Sequence, residues 1–157
     1  MGVVMLNEPN VAQQLELILK VALAMLLGGI LGLEREKQER PAGLRTHMLM
    51  AGAAALLVTL GTLLVEHFNQ EVENNLLRVD PIRVIEAVIV GVSFLGAGTI
   101  MRNVEQNRIE GLTTAATLLF VAAIGITVAA GQLVLALGAT ALALITLRGI
   151  ARLEHRL

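Results

Sequence analysis

The sequence contains no cysteine, tryptophan or tyrosine, and its aromatic residues are three phenylalanines. Without cysteine the chain has no disulfide, no thiolate nucleophile and no cysteine-ligated metal. It also lacks the Trp and Tyr that commonly anchor membrane helices at the interface, and the aromatic platforms that bind nucleic acid. We therefore expect arginine to anchor the helices, and we expect no nucleic-acid partner.

Charged residues are scarce as well. They make up 16% of the 157 positions, whereas apolar residues make up 55%, and the net charge is -1. A water-soluble domain of this size does not need so much apolar surface. The composition predicts an all-α fold class, namely a polytopic membrane helical bundle that forms a single transmembrane domain.

Five apolar runs account for most of the chain, and each is close to the roughly 20 residues that a membrane helix needs. The predicted transmembrane helices cover residues 15–33, 44–65, 82–101, 112–130 and 133–147. The longest polar loop, residues 66–81, separates the second helix from the third. A soluble bundle is the alternative, but runs with almost no polar face leave no surface for water.

Lysine and arginine are distributed unequally between the two ends of these helices. Nine of them fall in the 34–47 connection, the 102–111 connection and the C-terminal tail: Arg35, Lys37, Arg40, Arg45, Arg102, Arg108, Arg148, Arg152 and Arg156. The other end has Arg78 and Arg83, with Lys20 just inside the first helix. The positive-inside rule predicts that the two connections and the C-terminus are cytoplasmic and that the N-terminus lies outside.

Small residues are concentrated at places where helices are expected to touch. The first helix ends with Gly28 and Gly32 in a GxxxG pattern, and the third helix contains Gly91, Gly96 and Gly98. Glycines at such positions let two helix backbones approach closely within a membrane. Ordinary crowded packing inside one chain is the alternative. Because these faces also suit contacts between protomers, we expect a homodimer.

Two parts of the chain repeat a short pattern. Gly28 to Arg35 followed by Gly43 to Thr46 parallels Gly96 to Arg102 followed by Gly111 to Thr114. Parallel repeats commonly bring equivalent ends together. The repeat therefore predicts a cytoplasmic pocket formed by two helix N-termini.

Three arginines, Arg35, Arg45 and Arg102, belong to this predicted pocket. Together with backbone N–H groups and helix dipoles, they would suit a phosphate, an anionic lipid head group or an acidic side chain of a partner. Ordinary helix capping by threonine and snorkelling by arginine are the alternative.

Two charged residues lie inside predicted helices. Aligning the two repeats on Arg35 and Arg102 puts Lys20 and Glu86 at nearly the same depth. A buried charge is costly unless it is paired, so we predict an intramembrane ion pair between Lys20 and Glu86. A proton or cation path is the alternative interpretation.

Four ordered blocks of the sequence run from Gly28 to Glu36, Pro41 to His47, Gly91 to Ile100 and Gly111 to Ala116. Together they resemble the MgtC/SapB family of bacterial inner-membrane proteins, over about residues 15–147. The resemblance implies a five-span protein of the cytoplasmic membrane, linked to magnesium-limited growth and, in pathogens, to survival inside phagocytes. It also implies regulation by binding other membrane complexes, such as the proton-translocating ATP synthase, with no cofactor.

The polar residues in these blocks are the candidate binding residues that the resemblance implies, and the repeat adds Arg102. They are Glu34, Arg35, Glu36, Arg45, Thr46, Arg102, Thr113 and Thr114. The chain departs from the family in two respects. We expect it to lack the ACT-like C-terminal domain that many members carry, and Ser93 stands where glycine is usual.

Two other classes of function are weighed against regulation. A transporter or channel subunit for a divalent cation or an anion is the alternative, although a hard cation needs several oxygen ligands. An oligomer could supply them by bringing copies of Glu34 or Glu86 together, so the sequence assigns no metal site. An enzyme is not expected, because His47, His67 and His155 have no nucleophile or metal-ligand spacing near them. His47 is interpreted as a cap or interfacial residue.

Overall fold

The computed structural model describes residues 10–71, 80–103 and 107–154, with side chains described in 10–65, 80–103 and 107–149. Within these ranges five helices form the bundle: α1 (Val11–Lys37), α2 (Leu44–Glu71), α3 (Pro81–Gly98), α4 (Leu112–Ala129) and α5 (Leu133–Glu154). The predicted all-α membrane bundle of five helices is confirmed. An antiparallel hairpin between α3 and α4 was not predicted; it consists of β1 (Met101–Asn103) and β2 (Arg108–Glu110).

Four of these helices are long and apolar enough to cross a membrane: α1, the Leu44–Val65 part of α2, α3 and α4. In α5 the apolar stretch is shorter, covering Leu133–Gly149. The shortest of the four has 18 residues. At about 1.5 Å of rise per residue this gives roughly 27 Å, close to the thickness of the hydrocarbon core.

The start of each of two helices is fixed by a local cap. Asn10 accepts a hydrogen bond from the Ala12 N–H at 3.4 Å, and the Gln13 side chain accepts one from the Asn10 N–H at 3.0 Å, which completes a capping box at α1. Asp80 accepts from the Ile82 N–H at 2.9 Å, and Pro81 occupies the first helical position of α3.

Several helix ends differ from the predicted bounds. Helix α1 begins at Val11 and not at residue 15, α2 continues to Glu71 and not to residue 65, and α5 continues to Glu154 and not to residue 147. The first helix was predicted to end at residue 33, but α1 continues to Lys37. Glu34, Arg35 and Glu36 therefore lie on the last helical turn, and not in a turn between helices. The third helix was predicted to reach Met101, but α3 ends at Gly98, where Thr99 follows as the C-cap and donates its hydroxyl to the Gly96 carbonyl at 2.8 Å.

Close contact between α1 and α2 organises the core. A Cβ on Gly28 would lie 2.6 Å from the His47 carbonyl oxygen, and one on Gly32 would lie 2.7 Å from the Leu44 Cα. Glycine therefore lets the two backbones meet, as the GxxxG pattern requires. Small and branched side chains from four helices fill the centre: Ala24, Leu27, Leu31, Ala51, Ala55, Val121, Ile124, Val128 and Ala136.

Helix α3 packs at the periphery of the bundle. Its buried residues Val88 and Val92 contact Ala54 and Ala122 in a second, smaller cluster. Gly96 makes ordinary contact with α4, since a Cβ there would lie 3.4 Å from the Ala115 Cβ. Gly91 and Gly98, which were predicted to pack helices together, face open space. Much of α3 is thus left uncovered by the residues that the structure describes.

Several residues used in the sequence predictions lie outside the described residues. They are residues 72–79, which include Arg78 and half of the predicted 66–81 loop, together with His155 and Arg156. The side chains of His67 and Arg152 also lie outside the described part of the chain.

Candidate functional site

The C-terminal ends of α1, α3 and α5 meet the N-terminal ends of α2 and α4 at one end of the bundle, here called the charged end. Three contacts establish this arrangement. Arg148 of α5 reaches Glu34 of α1, and His47 of α2 reaches Thr117 of α4. After α3, the Thr99 hydroxyl lies 3.5 Å from the carbonyl of Gly111, which precedes α4.

Polar side chains are buried at the charged end. Glu34 is 8% exposed, Arg35 2%, His47 0%, Thr114 2% and Thr117 7%. Ionisable groups enclosed within a membrane bundle are costly and usually mark functional sites. We treat these residues, together with Gln38 and Arg148, as the candidate site and call them the buried polar cluster.

Glu34 connects two helices that are far apart in the sequence. Its Oε2 accepts a hydrogen bond from the Arg148 Nε at 2.8 Å, and its Oε1 accepts one from the Gln38 Nε2 at 2.8 Å. The Glu34 side chain is 9% exposed, whereas that of Arg148 is 55% exposed. The carboxylate is therefore held inside the bundle by an arginine that reaches in from its rim.

Arg35 lies beside this ion pair but does not share it. Its Nη2 donates to the Gln38 Oε1 at 2.9 Å. Its Nε is buried and has no hydrogen-bond partner among the described residues. Gln38 thus uses both ends of its amide group, one for Arg35 and one for Glu34, and the Arg35 guanidinium keeps donors unused.

His47 is the most deeply buried polar side chain of the cluster. Its Nδ1 lies 2.9 Å from the Gly43 carbonyl oxygen, and its Nε2 lies 3.3 Å from the Thr117 Oγ1. A carbonyl oxygen can only accept, so Nδ1 carries the hydrogen and donates it to Gly43, and Nε2 of a neutral imidazole accepts. The Thr117 hydroxyl has a single hydrogen. It can donate this hydrogen either to the His47 Nε2 or to the Thr114 carbonyl oxygen, which lies 2.9 Å away.

Glu36 has a separate role on the same turn of α1. Its Oε2 accepts a hydrogen bond from the Leu44 N–H at 2.7 Å, so it caps the start of α2 from eight residues upstream. A Cβ on Gly43 would lie 2.9 Å from this oxygen, which explains why glycine precedes Leu44. The capping carboxylate also suits the positive end of the α2 dipole.

The sequence repeat has a counterpart in the packing. Gly32 of α1 contacts His47, the fourth residue after Gly43, and Gly96 of α3 contacts Ala115, the fourth residue after Gly111. In each half, a small residue near the end of one helix packs on the first turn of the next. The two N-termini meet through His47 and Thr117.

The remaining predicted binding residues lie outside this cluster. Arg45, Thr46 and Thr113 are exposed on the first turns of α2 and α4. Arg102 is exposed on β1, where its Nη2 donates to the Asn107 Oδ1 at 3.1 Å. Of the three arginines expected in one pocket, the structure buries Arg35 alone.

The predicted ion pair between Lys20 and Glu86 does not form. Lys20 instead pairs with Glu16 of its own helix, with the Nζ 2.9 Å from the Oε1. A partner one turn away on α1 satisfies the ammonium without any contact with α3. Glu86 is exposed on α3. Equal depth in two helices therefore did not bring the two charges together.

Four cluster residues were not predicted as site residues: Gln38, His47, Thr117 and Arg148. For His47 a usable signal existed, because a histidine one turn into an apolar helix is expected to face a polar partner. Nothing in the sequence pairs Arg148 with Glu34, which precedes it by 114 residues. That contact depends on how α5 packs against α1.

Comparison with known proteins places relatives of this chain in one family. The model of the MgtC family matches residues 21–156. A protein of Haemophilus influenzae is 40% identical over 129 residues, which are 82% of this chain and 53% of that protein. "Putative magnesium transporter YhiD" of Escherichia coli K12 is 34% identical over 142 residues, which are 90% of this chain and 64% of that protein.

A third relative, Protein MgtC of Salmonella typhimurium, is 40% identical over 124 residues, which are 78% of this chain and 47% of that protein. The chain thus spans about half to two thirds of the length of these curated relatives. No solved structure matches the chain at a significant level.

Proposed function

The chain belongs to the MgtC family, and on that basis we propose that it is a non-enzymatic regulatory protein of the bacterial cytoplasmic membrane that acts by binding another membrane complex. The proton-translocating ATP synthase is the candidate partner that the family resemblance suggests. This regulation would matter during magnesium-limited growth and, if the bacterium is a pathogen, during survival inside host phagocytes.

One observation carries the proposal, and it concerns the outer face of α3, which we define as Glu86, Val90, Gly91, Ser93, Phe94 and Gly98. All six residues are exposed. Glu86 and Ser93 are seven residues apart and share one side of the helix. A carboxylate that faces lipid is costly, and membrane helices usually cover such a group with protein. A partner helix on this face would cover it.

Two further features support docking on α3. Gly91 and Gly98 have open space where a Cβ would be, so they pack against none of the described residues and permit close approach by a foreign helix. Beside them, a groove of about 340 Å³ runs between α2 and α3 and is lined by residues such as Met50, Leu57, Val84 and Leu95. A second copy of the chain is the other occupant that would suit this face.

The test uses two glycine variants that differ in the face they occupy. Gly91→Leu fills the outer face of α3, and Gly138→Leu places the same side chain on α5, where a Cβ also meets open space. Purified from membranes of cells grown in low magnesium, the wild-type chain and Gly138→Leu are expected to retain ATP synthase and to change ATP-driven proton pumping in inverted vesicles.

Gly91→Leu is expected to remain folded, but neither to retain ATP synthase nor to change ATP-driven proton pumping. If ATP synthase is not retained by the wild-type chain and pumping does not change, the assignment of this partner is wrong. Cysteine cross-linking of the Gly91→Cys variant tests whether a second copy of the chain occupies this face of α3. A cross-linked homodimer that excludes other membrane proteins would assign the α3 face to self-association.

Transport of magnesium is the second candidate, favoured by the name of the Escherichia coli relative. In this chain both oxygens of Glu34 already accept hydrogen bonds, and the Glu36 Oε2 caps α2. Glu86 is exposed and could meet copies of itself in an oligomer. Magnesium flux into liposomes that is abolished by Glu86→Gln would support transport, and the same flux in the variant would exclude Glu86 from the path.

A further inference from the structure

Arg35 is enclosed without a full set of partners. It is 2% exposed, yet its Nη2 bond to Gln38 is the one hydrogen bond of its guanidinium within the described part of the chain. Its Nε is buried, and no described residue accepts a hydrogen bond from it. A guanidinium has five N–H donors and is always charged, so burial in this state is unfavourable unless an anion compensates it.

The neighbouring carboxylate of Glu34 attracts Arg35 but forms no hydrogen bond with its guanidinium among the described contacts. Glu34 gives one oxygen to Gln38 and the other to Arg148. Arg40 adds a further positive charge within electrostatic range of Arg35. The buried polar cluster thus contains two arginines, Arg35 and Arg148, but one carboxylate, and Arg40 adds to this excess of positive charge.

We propose that Arg35 binds the phosphate group of an anionic phospholipid head group at the charged end of the bundle. A guanidinium offers parallel N–H donors that match the oxygens of a phosphate. Basic pockets between membrane helices are known sites for anionic head groups. The proposal is independent of the partner that α3 binds.

The position of Arg35 selects a lipid as the source of this phosphate. Leu33, two residues earlier, is 46% exposed on the apolar part of α1, whereas Arg40 lies three residues beyond the helix and is exposed. Arg35 thus lies where hydrocarbon gives way to head groups. Half-buried Gln38 accepts the Arg35 hydrogen bond at present, and we expect a phosphate oxygen to take the place of the Gln38 Oε1.

The experiment measures binding to the purified full chain in a zwitterionic detergent. Short-chain phosphatidylglycerol is the probe, and short-chain phosphatidylcholine and inorganic phosphate are the comparisons. We expect phosphatidylglycerol to bind and to raise the midpoint of thermal unfolding, and we expect the other two to have little effect. An equal effect of inorganic phosphate would overturn the assignment to lipid, and no effect of any probe would overturn the site.

Variants identify the residue responsible. Arg35→Gln is expected to weaken phosphatidylglycerol binding roughly tenfold or more, because a charge-assisted hydrogen bond is lost. Arg35→Lys is expected to retain part of the phosphatidylglycerol binding. The positive charge remains, but lysine lacks the parallel N–H donors of a guanidinium. Arg83→Gln removes an exposed cation at the opposite end of the bundle and serves as the control. Equal weakening by Arg83→Gln would show that only general surface charge matters.

Stability without lipid gives a second measurement. Arg35→Gln removes a buried guanidinium to which no carboxylate is hydrogen-bonded among the described residues, so in lipid-free detergent the variant is expected to be at least as stable as the wild-type chain. A variant that unfolds at a markedly lower temperature would show that Arg35 is already compensated within the protein. That result would overturn the proposal even if the variant failed to bind lipid.

Discussion

At the scale of single residues, Gly28 lies where α1 passes closest to α2. A Cβ at this position would lie 2.6 Å from the His47 carbonyl oxygen and 2.7 Å from the Ala51 Cβ. Backbone atoms cannot move aside as a flexible side chain can, so we expect Gly28→Ala to lower the free energy of unfolding by about 1 to 3 kcal/mol. Reversible unfolding in detergent measures the change.

Gly91→Ala provides the matched control for Gly28→Ala. No atom lies within 4 Å of the Cβ that this substitution adds to α3. Alanine favours a helix by up to about 1 kcal/mol relative to glycine, so the control is expected to be neutral or slightly stabilising. Equal destabilisation by both substitutions would mean that helix propensity, and not the contact with α2, governs Gly28.

The ion pair between Glu34 and Arg148 is expected to stabilise the attachment of α5 to α1. Glu34→Gln and Arg148→Gln, combined in a double-mutant cycle, are expected to show a coupling energy of about 1 kcal/mol, since the Arg148 side chain is 55% exposed and water screens the pair. The single Glu34→Gln variant is expected to be the more damaging, because it also leaves buried Arg35 without a neighbouring negative charge. A coupling energy near zero would contradict this assignment.

The sequence predicted part of the buried polar cluster. Glu34, Arg35 and Thr114 were identified because they are polar residues of the blocks that resemble the family, and Arg35 also belonged to the pocket predicted from the repeat. The contact of His47 with Thr117 was not predicted, because the two residues are 70 positions apart. Arg45 and Arg102 have the same chemistry as Arg35 but point to solvent. Exposure depends on the side of the helix that faces the bundle, which short motifs do not specify.

At the scale of structural elements, Gly111 fixes the connection from the hairpin to α4. Its φ is +88°, and a Cβ would collide with the Thr99 carbonyl oxygen at the end of α3. Gly131, between α4 and α5, also has a positive φ of +74° but faces open space. Gly131→Ala is expected to cost about 1 to 2 kcal/mol from backbone strain alone.

Gly111→Ala is expected to cost clearly more than Gly131→Ala, because it adds the collision with Thr99 to the same strain. The free energies of unfolding of the two variants, measured side by side, separate these contributions. A similar loss in both would indicate that the end of α3 moves away easily. In that case the connection would not hold α3 against α4.

Helix number followed directly from the apolar runs, whereas several helix ends did not. Polar residues of the 34–47 connection continue α1 to Lys37, since α-helix formation does not stop where hydrophobicity stops. The hairpin was missed because its strands have three residues each, too few for a visible alternation. In the hairpin Met101 pairs with Glu110, and Gly111 follows Glu110 directly at the start of α4.

At the scale of the whole molecule, the helices are not equivalent. Helix α1 shares the central core with α2, α4 and α5, and α3 joins through the smaller cluster around Val88 and Val92. Sequence predicted similar small-residue interfaces for α1 and α3. Gly28 and Gly32 are covered, while Gly91 and Gly98 are not. Both helices contain small residues at similar spacing. Composition therefore could not predict which of the two glycine faces is covered by other described helices.

The last prediction concerns orientation in the membrane. Lys37 and Arg108 are exposed at the charged end, and Gln132 is exposed in the α4–α5 connection at the opposite end. The chain has no cysteine, so single-cysteine variants at these positions are unambiguous. By the positive-inside rule, an impermeant maleimide is expected to label Gln132→Cys in intact cells, and Lys37→Cys and Arg108→Cys in inverted vesicles. Labelling of Lys37→Cys and Arg108→Cys from opposite sides would contradict the bundle itself, whereas labelling of both in intact cells would reverse its orientation.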